Sequence, residues 1–149
     1  AGTVGAALPL VRVRVQDDRG RAVAGATVAW TPTAGQAAPA TSTTDRDGIA
    51  TTTWTLGSRA EAQALAASVS GGAVRVQFAA VARADRPAAV RVAGDSVLGL
   101  VTGATLALRA TVADRFGNPV DAPVAWRSID PGVATVDGEG RVLARAAGS

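Results

Sequence analysis

The chain has 149 residues, of which 48% are hydrophobic but only 3% are aromatic, and its formal net charge is +3. The lack of cysteine excludes a disulfide framework and a thiolate metal site, and no apolar run is long enough to predict a membrane span. All fifteen basic residues are arginine, and they do not form the basic stripe with stacking aromatics that nucleic-acid binding needs. We therefore expect neither nucleic-acid binding nor membrane insertion.

The first half of the chain is dominated by apolar residues that alternate with polar ones. This period of two predicts half-buried β-strands. The predicted strands cover residues 11–15, 26–31, 49–56 and 74–80. Turn signals lie between them, at Asp18-Arg19-Gly20, Asp47-Gly48 and Gly71-Gly72.

One alanine-rich segment, residues 58–67, has a composition that favours a helix. Its second half nevertheless alternates, with Leu65, Ala67 and Val69 on one face before a pair of glycines. We predict a strand for that half.

The second half of the chain has the same alternating character. The pattern predicts a strand over residues 106–112, and it points Val124 and Trp126 inward between Ala125 and Arg127. Further turn signals follow the predicted strands, at 116–119, 130–132 and 138–140.

An internal repeat divides the chain. Residues 17–30 return as residues 113–126, so that Trp30 and Trp126 match, and a second anchor at residues 43–48 returns at 135–140. A repeat on this scale indicates two tandem modules of one design. We predict a first module over residues 1–83, a short stiff connector over 84–88 that contains Pro87, and a second module over 89–149.

The fold class predicted from these elements is all-β, with two tandem Ig-like antiparallel β-sandwiches. After its second anchor the first module continues to about residue 82, whereas the second reaches residue 149 soon after its own. The second sandwich is therefore expected to be incomplete at its C-terminal end. The large residues predicted to fill the two cores are Trp30, Trp54, Trp126 and Phe78. Phe116 lies at a turn, and the sequence allows two roles for it, namely packing at the module junction or an exposed contact.

The side-chain inventory argues against catalysis. Histidine, cysteine, lysine and tyrosine are absent, so no ordinary base, nucleophile or proton shuttle is available. The two glutamates, Glu61 and Glu139, lie in different modules. We predict no enzymatic activity, no catalytic or cofactor-binding residues and no cofactor.

The weak metal candidates are Asp45 and Asp47, whose carboxylates would suit calcium. The third ligand and distal glutamate of an EF-type loop are missing. The preferred interpretation is a turn in which the aspartates bond to the backbone and Gly48 adopts a positive φ, so we predict no metal site.

The first module resembles bacterial immunoglobulin-like domains of the invasin/intimin type in residues 2–5, 9–13, 17–20 and 44–50. The second module is more similar to the second bacterial Ig-like family, through residues 124–137 and 140–142, in which a strand ending in Trp126 precedes a Ser-x-Asp-Pro turn. The resemblance covers almost the whole chain. It implies an Ig-like fold and a spacer or display role, but it implies no functional residues.

These observations predict a structural module of a bacterial extracellular or cell-surface protein, namely a stalk, an adhesin repeat or a filament subunit. Its expected partners are neighbouring Ig-like modules or identical subunits. The alternative is a recognition module that binds a glycan or a host protein through its end loops.

An incomplete second sandwich would expose a groove. The residues expected to line it are Leu106, Leu108, Val112, Val124 and Trp126. The groove would be filled either by further residues of a longer chain or by a strand from a neighbouring subunit. The segment 1–16 is the suggested donor, because it carries alternating apolar side chains.

Overall fold

The structure is a computed structural model that describes residues 1–69, 74–94 and 99–148. The chain divides into two compact units, Ala1–Asp85 and Arg86–Ser149. Every regular element in the described residues is a β-strand, which confirms the all-β prediction. The described part of the chain contains no helix long and apolar enough to cross a membrane.

The first unit contains eight strands within its described residues. They are β1 Gly2–Thr3, β2 Val11–Arg14, β3 Thr27–Pro32, β4 Gln36–Ala38, β5 Thr41–Thr43, β6 Ile49–Thr55, β7 Ala62–Val69 and β8 Arg75–Arg83. One sheet has the order β1-β8-β7-β3-β5 and the other the order β2-β6-β4. The alanine-rich segment forms β7, so the strand predicted for its second half is confirmed.

The core of the first unit lies between these two sheets because each strand turns alternate side chains inward. In β6 the alternation buries Trp54, which is 1% exposed, and in β3 it buries Trp30, which is 3% exposed. The other buried apolar members of this cluster are Val4, Val28, Ala37, Ala50, Leu56, Leu65, Ala67, Ala80 and Ala82.

The N-terminal segment of the first unit is part of its own sandwich. Strand β1 pairs in parallel with the end of β8, Gly2 opposite Ala82 and Thr3 opposite Arg83. Val4 is 1% exposed, and β2 pairs with β6. The suggestion that residues 1–16 are available for donation is wrong for this structure, because that segment is already paired and partly buried.

The second unit contains five strands within its described residues, namely β9 Ala89–Ala93, β10 Thr105–Ala107, β11 Arg109–Ala113, β12 Ala134–Val136 and β13 Arg141–Ala144. They form a two-stranded sheet β11-β9 and a three-stranded sheet β10-β13-β12. Among the described residues, Val112 and Ala144 are the buried apolar side chains of this unit. The second unit therefore has a much smaller core than the first.

Two predicted strands of the second unit need correction. The strand predicted over 106–112 is divided at Leu108, because β10 pairs with β13 whereas β11 pairs with β9. The segment 121–129 keeps its alternation, with Val124 and Trp126 half-buried, but it belongs to no strand. Alternation alone does not make a strand, because a ladder also needs a partner.

The different burial of the two matching tryptophans gives a stability prediction. Trp30→Ala should lower the free energy of unfolding of the first unit by about 3–5 kcal/mol, because it leaves a cavity between the sheets. Trp126→Ala should cost the second unit less, because this indole is already partly exposed. Urea denaturation, with the exposed-site variant Thr31→Ala as control, measures both, and equal costs at the two tryptophans would contradict this prediction.

Candidate functional site

Asp45, one of the two aspartates that the sequence analysis considered, belongs to one of four copies of the same turn. In each copy, Oδ1 of the aspartate accepts hydrogen bonds from the backbone N–H groups two and four residues later. The donor–acceptor distances are 3.0 and 2.9 Å at Asp17, 2.8 and 2.9 Å at Asp45, 2.8 and 2.9 Å at Asp114, and 3.0 and 2.8 Å at Asp137. Each carboxylate therefore satisfies two backbone donors that a hairpin turn would otherwise leave to water.

Glycine completes each turn three residues after the aspartate. The N–H of that glycine donates to the aspartate C=O, and its φ is between 75° and 86° in all four copies. This left-handed region is open to glycine at little cost. At Gly48 an added Cβ would also lie 2.6 Å from the carbonyl oxygen of Val15, so the position excludes a side chain on two grounds.

The weak calcium candidates occupy one of these turns. Oδ1 of Asp45 is engaged by the backbone N–H groups of Asp47 and Ile49, while Asp47 is exposed and lies 3.8 Å from the guanidinium of Arg46. Among the described residues, no three potential metal-ligating side chains lie together. The geometry supports the turn interpretation of Asp45 and Asp47 over the calcium interpretation.

The ionised carboxylate of Asp17 stabilises its turn in the same way. The backbone N–H of Arg21 lowers the pKa of this carboxyl, with further contributions from the Arg21 side chain and the Arg19 N–H, while desolvation opposes the shift. A pKa lowered on folding means that the ionised form stabilises the folded state. This contribution is complete above the unfolded pKa and is lost as the pH falls through the folded value.

The two tryptophans of the first unit are core residues. Trp30 Nε1 donates to Ser42 Oγ at 2.8 Å and Trp54 Nε1 donates to the carbonyl oxygen of Ala34 at 3.1 Å, so both indoles are buried with their polar group satisfied. Phe78 is half-buried and packs against this cluster. All three side chains therefore serve packing.

Trp126 has a different environment. It is half-buried, and a Cβ added at Gly140 would lie 3.0 Å from the indole, so the ring packs on that glycine. Trp126 lines two clefts of about 140 and 450 Å³, the first with Val136 and Val142 and the second with Val124 and Arg109. The side of the second unit that contains Trp126 is therefore open.

The predicted groove residues are distributed over these and neighbouring clefts. Leu106 and Leu108 line a cleft of about 280 Å³ with Val142, and Leu108 also borders both Trp126 clefts. Val112 is buried and belongs instead to the β9–β11 side. The structure thus brings four of the five predicted residues to connected open clefts and places the fifth elsewhere.

A further exposed feature surrounds Phe116, which the sequence left open. Its side chain is 41% exposed, and the guanidinium carbon of Arg115 lies 4.7 Å from the ring centroid, a cation–π contact. Both residues border a cleft of about 640 Å³ that also includes Arg91 and Thr111.

Sequence reasoning missed one buried polar residue, Thr44, which connects the segment after β5 to the residues before β3. Thr44 is 4% exposed, its Oγ1 donates to the carbonyl oxygen of Val23 at 2.7 Å and accepts from the N–H of Ala26 at 2.9 Å. The second module has Val136 at the matching position, so the repeat contains no shared signal for this role.

The sandwich, the repeated turns and the buried tryptophans are the features of an Ig-like domain. Comparison with family models matches residues 3–81, more than half of the chain, to the bacterial Ig-like domain (group 1). The chain belongs to this family. The expected invasin/intimin-type resemblance of the first module is thereby confirmed, whereas that of the second module to the second bacterial Ig-like family stays a prediction.

A solved structure shows the same fold. It is the crystal structure of the C-terminal 282-residue fragment of intimin in complex with the intimin-binding domain of the translocated intimin receptor, Tir. The TM-score is 0.51 at 23% sequence identity, and the match covers 97% of this chain and 52% of the intimin fragment. The chain therefore spans about half the length of that fragment. A comparison with curated proteins finds no match.

The turn geometry yields a prediction at Asp45. Asp45→Ala should lower the free energy of unfolding by about 1 kcal/mol, because two backbone N–H groups lose their acceptor. Asp45→Asn, which keeps a side-chain oxygen, should cost less. Thermal unfolding with calcium and with a chelator measures both effects. A calcium-dependent rise in the melting temperature of the unsubstituted chain, absent in both variants, would instead make Asp45 a ligand.

Proposed function

We propose that this chain is a non-enzymatic structural module of a bacterial extracellular or cell-surface protein, serving as a stalk, an adhesin repeat or a filament subunit. Membership of the bacterial Ig-like family supports this role. The turn aspartates bond to backbone N–H groups, and no buried side-chain N or O atom of the described residues lacks a hydrogen-bond partner. In the described residues, these polar side chains therefore serve to stabilise the fold.

The observation that carries the proposal is the pairing of the two terminal strands of the first unit. Strand β1 lies at the start of the unit and β8 at its end, and the two are parallel neighbours. The pair is extended by the N–H of Val4, which donates to the carbonyl oxygen of Arg83 at 2.9 Å. A force that separates the two ends of this unit therefore loads these hydrogen bonds together, in shear.

Strands β7 and β8 of the same sheet are antiparallel, and they provide an internal comparison. The start of β7 lies beside the end of β8, with Ala62 opposite Val81 in an antiparallel ladder. A force applied at Glu61 and Arg83 would break this ladder one hydrogen bond at a time. Parallel pairing of the terminal strands is the arrangement expected of a unit that transmits tension along a chain.

We further propose that a strand from outside the described residues completes the second unit. Its support is the small core, with two buried apolar side chains, and the open clefts beside Trp126. Strand addition would supply both backbone partners and apolar side chains to such a site. The intimin fragment was solved with a protein partner, which agrees with a role in protein contacts at a surface.

Single-molecule pulling tests the load-bearing role. The chain has no cysteine, so pairs of introduced cysteines are unique attachment points. Pulling through Ala1→Cys and Arg83→Cys should require a higher unfolding force for the first unit than pulling through Glu61→Cys and Arg83→Cys, because the first pair shears β1 from β8 and the second unzips β7 from β8. Equal forces, or a lower force in the first geometry, would contradict the proposal.

A second candidate function, recognition through end loops, is favoured by the exposed Phe116 and its contact with Arg115. Under this alternative, a glycan array or a host-protein pull-down should give binding that Phe116→Ala reduces at least about tenfold, since a buried aromatic anchor dominates such contacts. Ile129→Ala, which truncates another exposed apolar side chain of the same unit, is the matched control. Binding that both variants retain would exclude this site.

A further inference from the structure

The two-stranded sheet β9–β11 has one face that carries only alanine, threonine and arginine side chains. Side chains alternate along each strand, and the register of the two strands places every second residue of both on this face. We call it the arginine face, and its members are Ala89, Arg91, Ala93, Arg109, Thr111 and Ala113.

The arginine face is the outer face of its sheet. In β11, Arg109 and Thr111 are exposed, whereas the alternate residues Ala110 and Val112, on the opposite face, are half-buried and buried. A strand that joined either edge of the sheet would lie beside this face and would not cover it. The arginine face is therefore accessible from solvent whether or not further strands join the sheet.

The charge of the arginine face is positive and has no acidic counterpart on the face. Arg91 lies opposite Thr111, and Arg109 lies two residues before Thr111, so the two arginines are diagonal neighbours. Such neighbours are about 7–8 Å apart, within reach of long side chains. Within the described residues neither guanidinium makes an ion pair. An anion placed over the face would be attracted by both.

A cleft of about 640 Å³ adjoins the arginine face. It is lined by Arg91 and Thr111 of the face and by Arg115 and Phe116 of the turn that follows β11. This volume lies within the range of about 300–1,000 Å³ that is typical of ligand pockets. The face and the cleft together are large enough for more than one anionic group of a ligand.

The one acidic residue that lines the cleft, Asp114, is engaged in its own turn. It is 3% exposed, its Oδ1 accepts hydrogen bonds from the N–H groups of Phe116 and Asn118, and its Oδ2 accepts from Asn118 Nδ2 at 2.9 Å. This carboxylate therefore serves the turn, and the exposed charge of the cleft is that of its arginines.

Phe116 gives the cleft a flat apolar surface. The guanidinium carbon of Arg115 lies 4.7 Å from the ring centroid, and the side chain is nevertheless 41% exposed. The cation–π contact holds the ring in place. A sugar ring presents C–H groups on one face, and these pack well against the face or edge of an aromatic ring.

We infer that the arginine face and the adjoining cleft bind an acidic polysaccharide, with carboxylates on Arg91 and Arg109 and a sugar ring against Phe116. Guanidinium groups bind carboxylates through paired, charge-assisted hydrogen bonds, and the Thr111 hydroxyl can bond to a sugar hydroxyl. The inference rests on the second candidate function, recognition, and names the class of ligand.

Two other classes of anionic ligand fit this surface less well. The backbone N–H and C=O groups of β9 and β11 lie in the plane of the sheet, so the face offers no strand partner to an acidic peptide. Single-stranded nucleic acid requires several aromatic side chains for its bases, and Phe116 is the one aromatic residue of the cleft. A polyuronate carries a carboxylate on every ring, so neighbouring rings can supply both arginines.

The test titrates the full 149-residue chain with a hexamer of mannuronic acid and follows the amide NMR signals. Saturable shifts are expected at Arg91, Thr111 and Phe116. Arg91→Gln should weaken binding about tenfold, because a charge-assisted hydrogen-bond pair is lost. Phe116→Leu should also weaken it, because leucine has no flat ring. Arg127→Gln is the matched control. It removes the same charge from an exposed site outside the face and the cleft, and should change the affinity less than about twofold.

Two further probes separate the classes of ligand. A hexamer of mannose lacks the carboxylates, and hexaglutamate has six side-chain carboxylates on a peptide backbone, so both should bind at least about tenfold more weakly than the acidic sugar. Unchanged amide shifts away from the site establish that each variant is folded. The inference would be overturned by no saturable binding, by equal effects of Arg91→Gln and Arg127→Gln, or by equal affinity for either probe. A neutral glycan that binds through Phe116 would retain recognition but overturn this ligand class. The load-bearing role is tested separately, because the pulling experiment depends on the first unit alone.

Discussion

The interaction on which both units depend is the hydrogen bonding of one aspartate carboxylate to two backbone N–H groups of its own turn. It occurs at Asp17, Asp45, Asp114 and Asp137, each with a glycine at positive φ three residues later. At Asp137 the turn joins the paired strands β12 and β13, so its fixed length sets their register, whereas the Asp17 and Asp45 turns carry the chain between strands of different sheets. Register then decides which side chains face inward, because a slip of one residue would exchange the two faces of a strand. These turns therefore fix the local connections, while the long-range ladders set the register of the core strands in the first unit.

The two units contain the same type of turn but have cores of different size. Trp30 is buried because β7 covers one edge of its strand and β6 lies across the sandwich. Trp126 follows the same turn sequence, but no strand within the described residues pairs with its segment, and the indole stays partly exposed against Gly140. The turns fix local hairpins, whereas burial of a large side chain also requires strands that are distant in sequence.

The sequence could predict those elements whose physical cause is local. Alternation and an Asp-x-x-Gly turn each involve residues that are close in sequence, so the pattern predicts β6, the second half of β7 and the internal repeat. The short strands β4 and β5, of three residues each, carry too little pattern to be detected. Strand β9 is not predicted from the sequence, because both faces of Ala89–Ala93 are exposed and the strand directly follows the predicted connector. The break at Leu108 could not be predicted, since it depends on which sheet pairs with each half of the strand.

The sequence contains no histidine, cysteine, lysine or tyrosine, so its surface offers mainly backbone edges, charged side chains and apolar faces. Buried polar groups serve internal contacts, as Thr52 Oγ1 does with the carbonyl oxygen of Pro39 and Gln63 does with Gly57 and Arg59. What remains at the surface are strand edges, scattered arginines and a few apolar residues such as Val90 and Val92. A strand edge presents the same N–H and C=O groups whatever its sequence, so specificity has to come from the residues beside it. In the second unit the large side chain beside the open clefts is the half-buried Trp126.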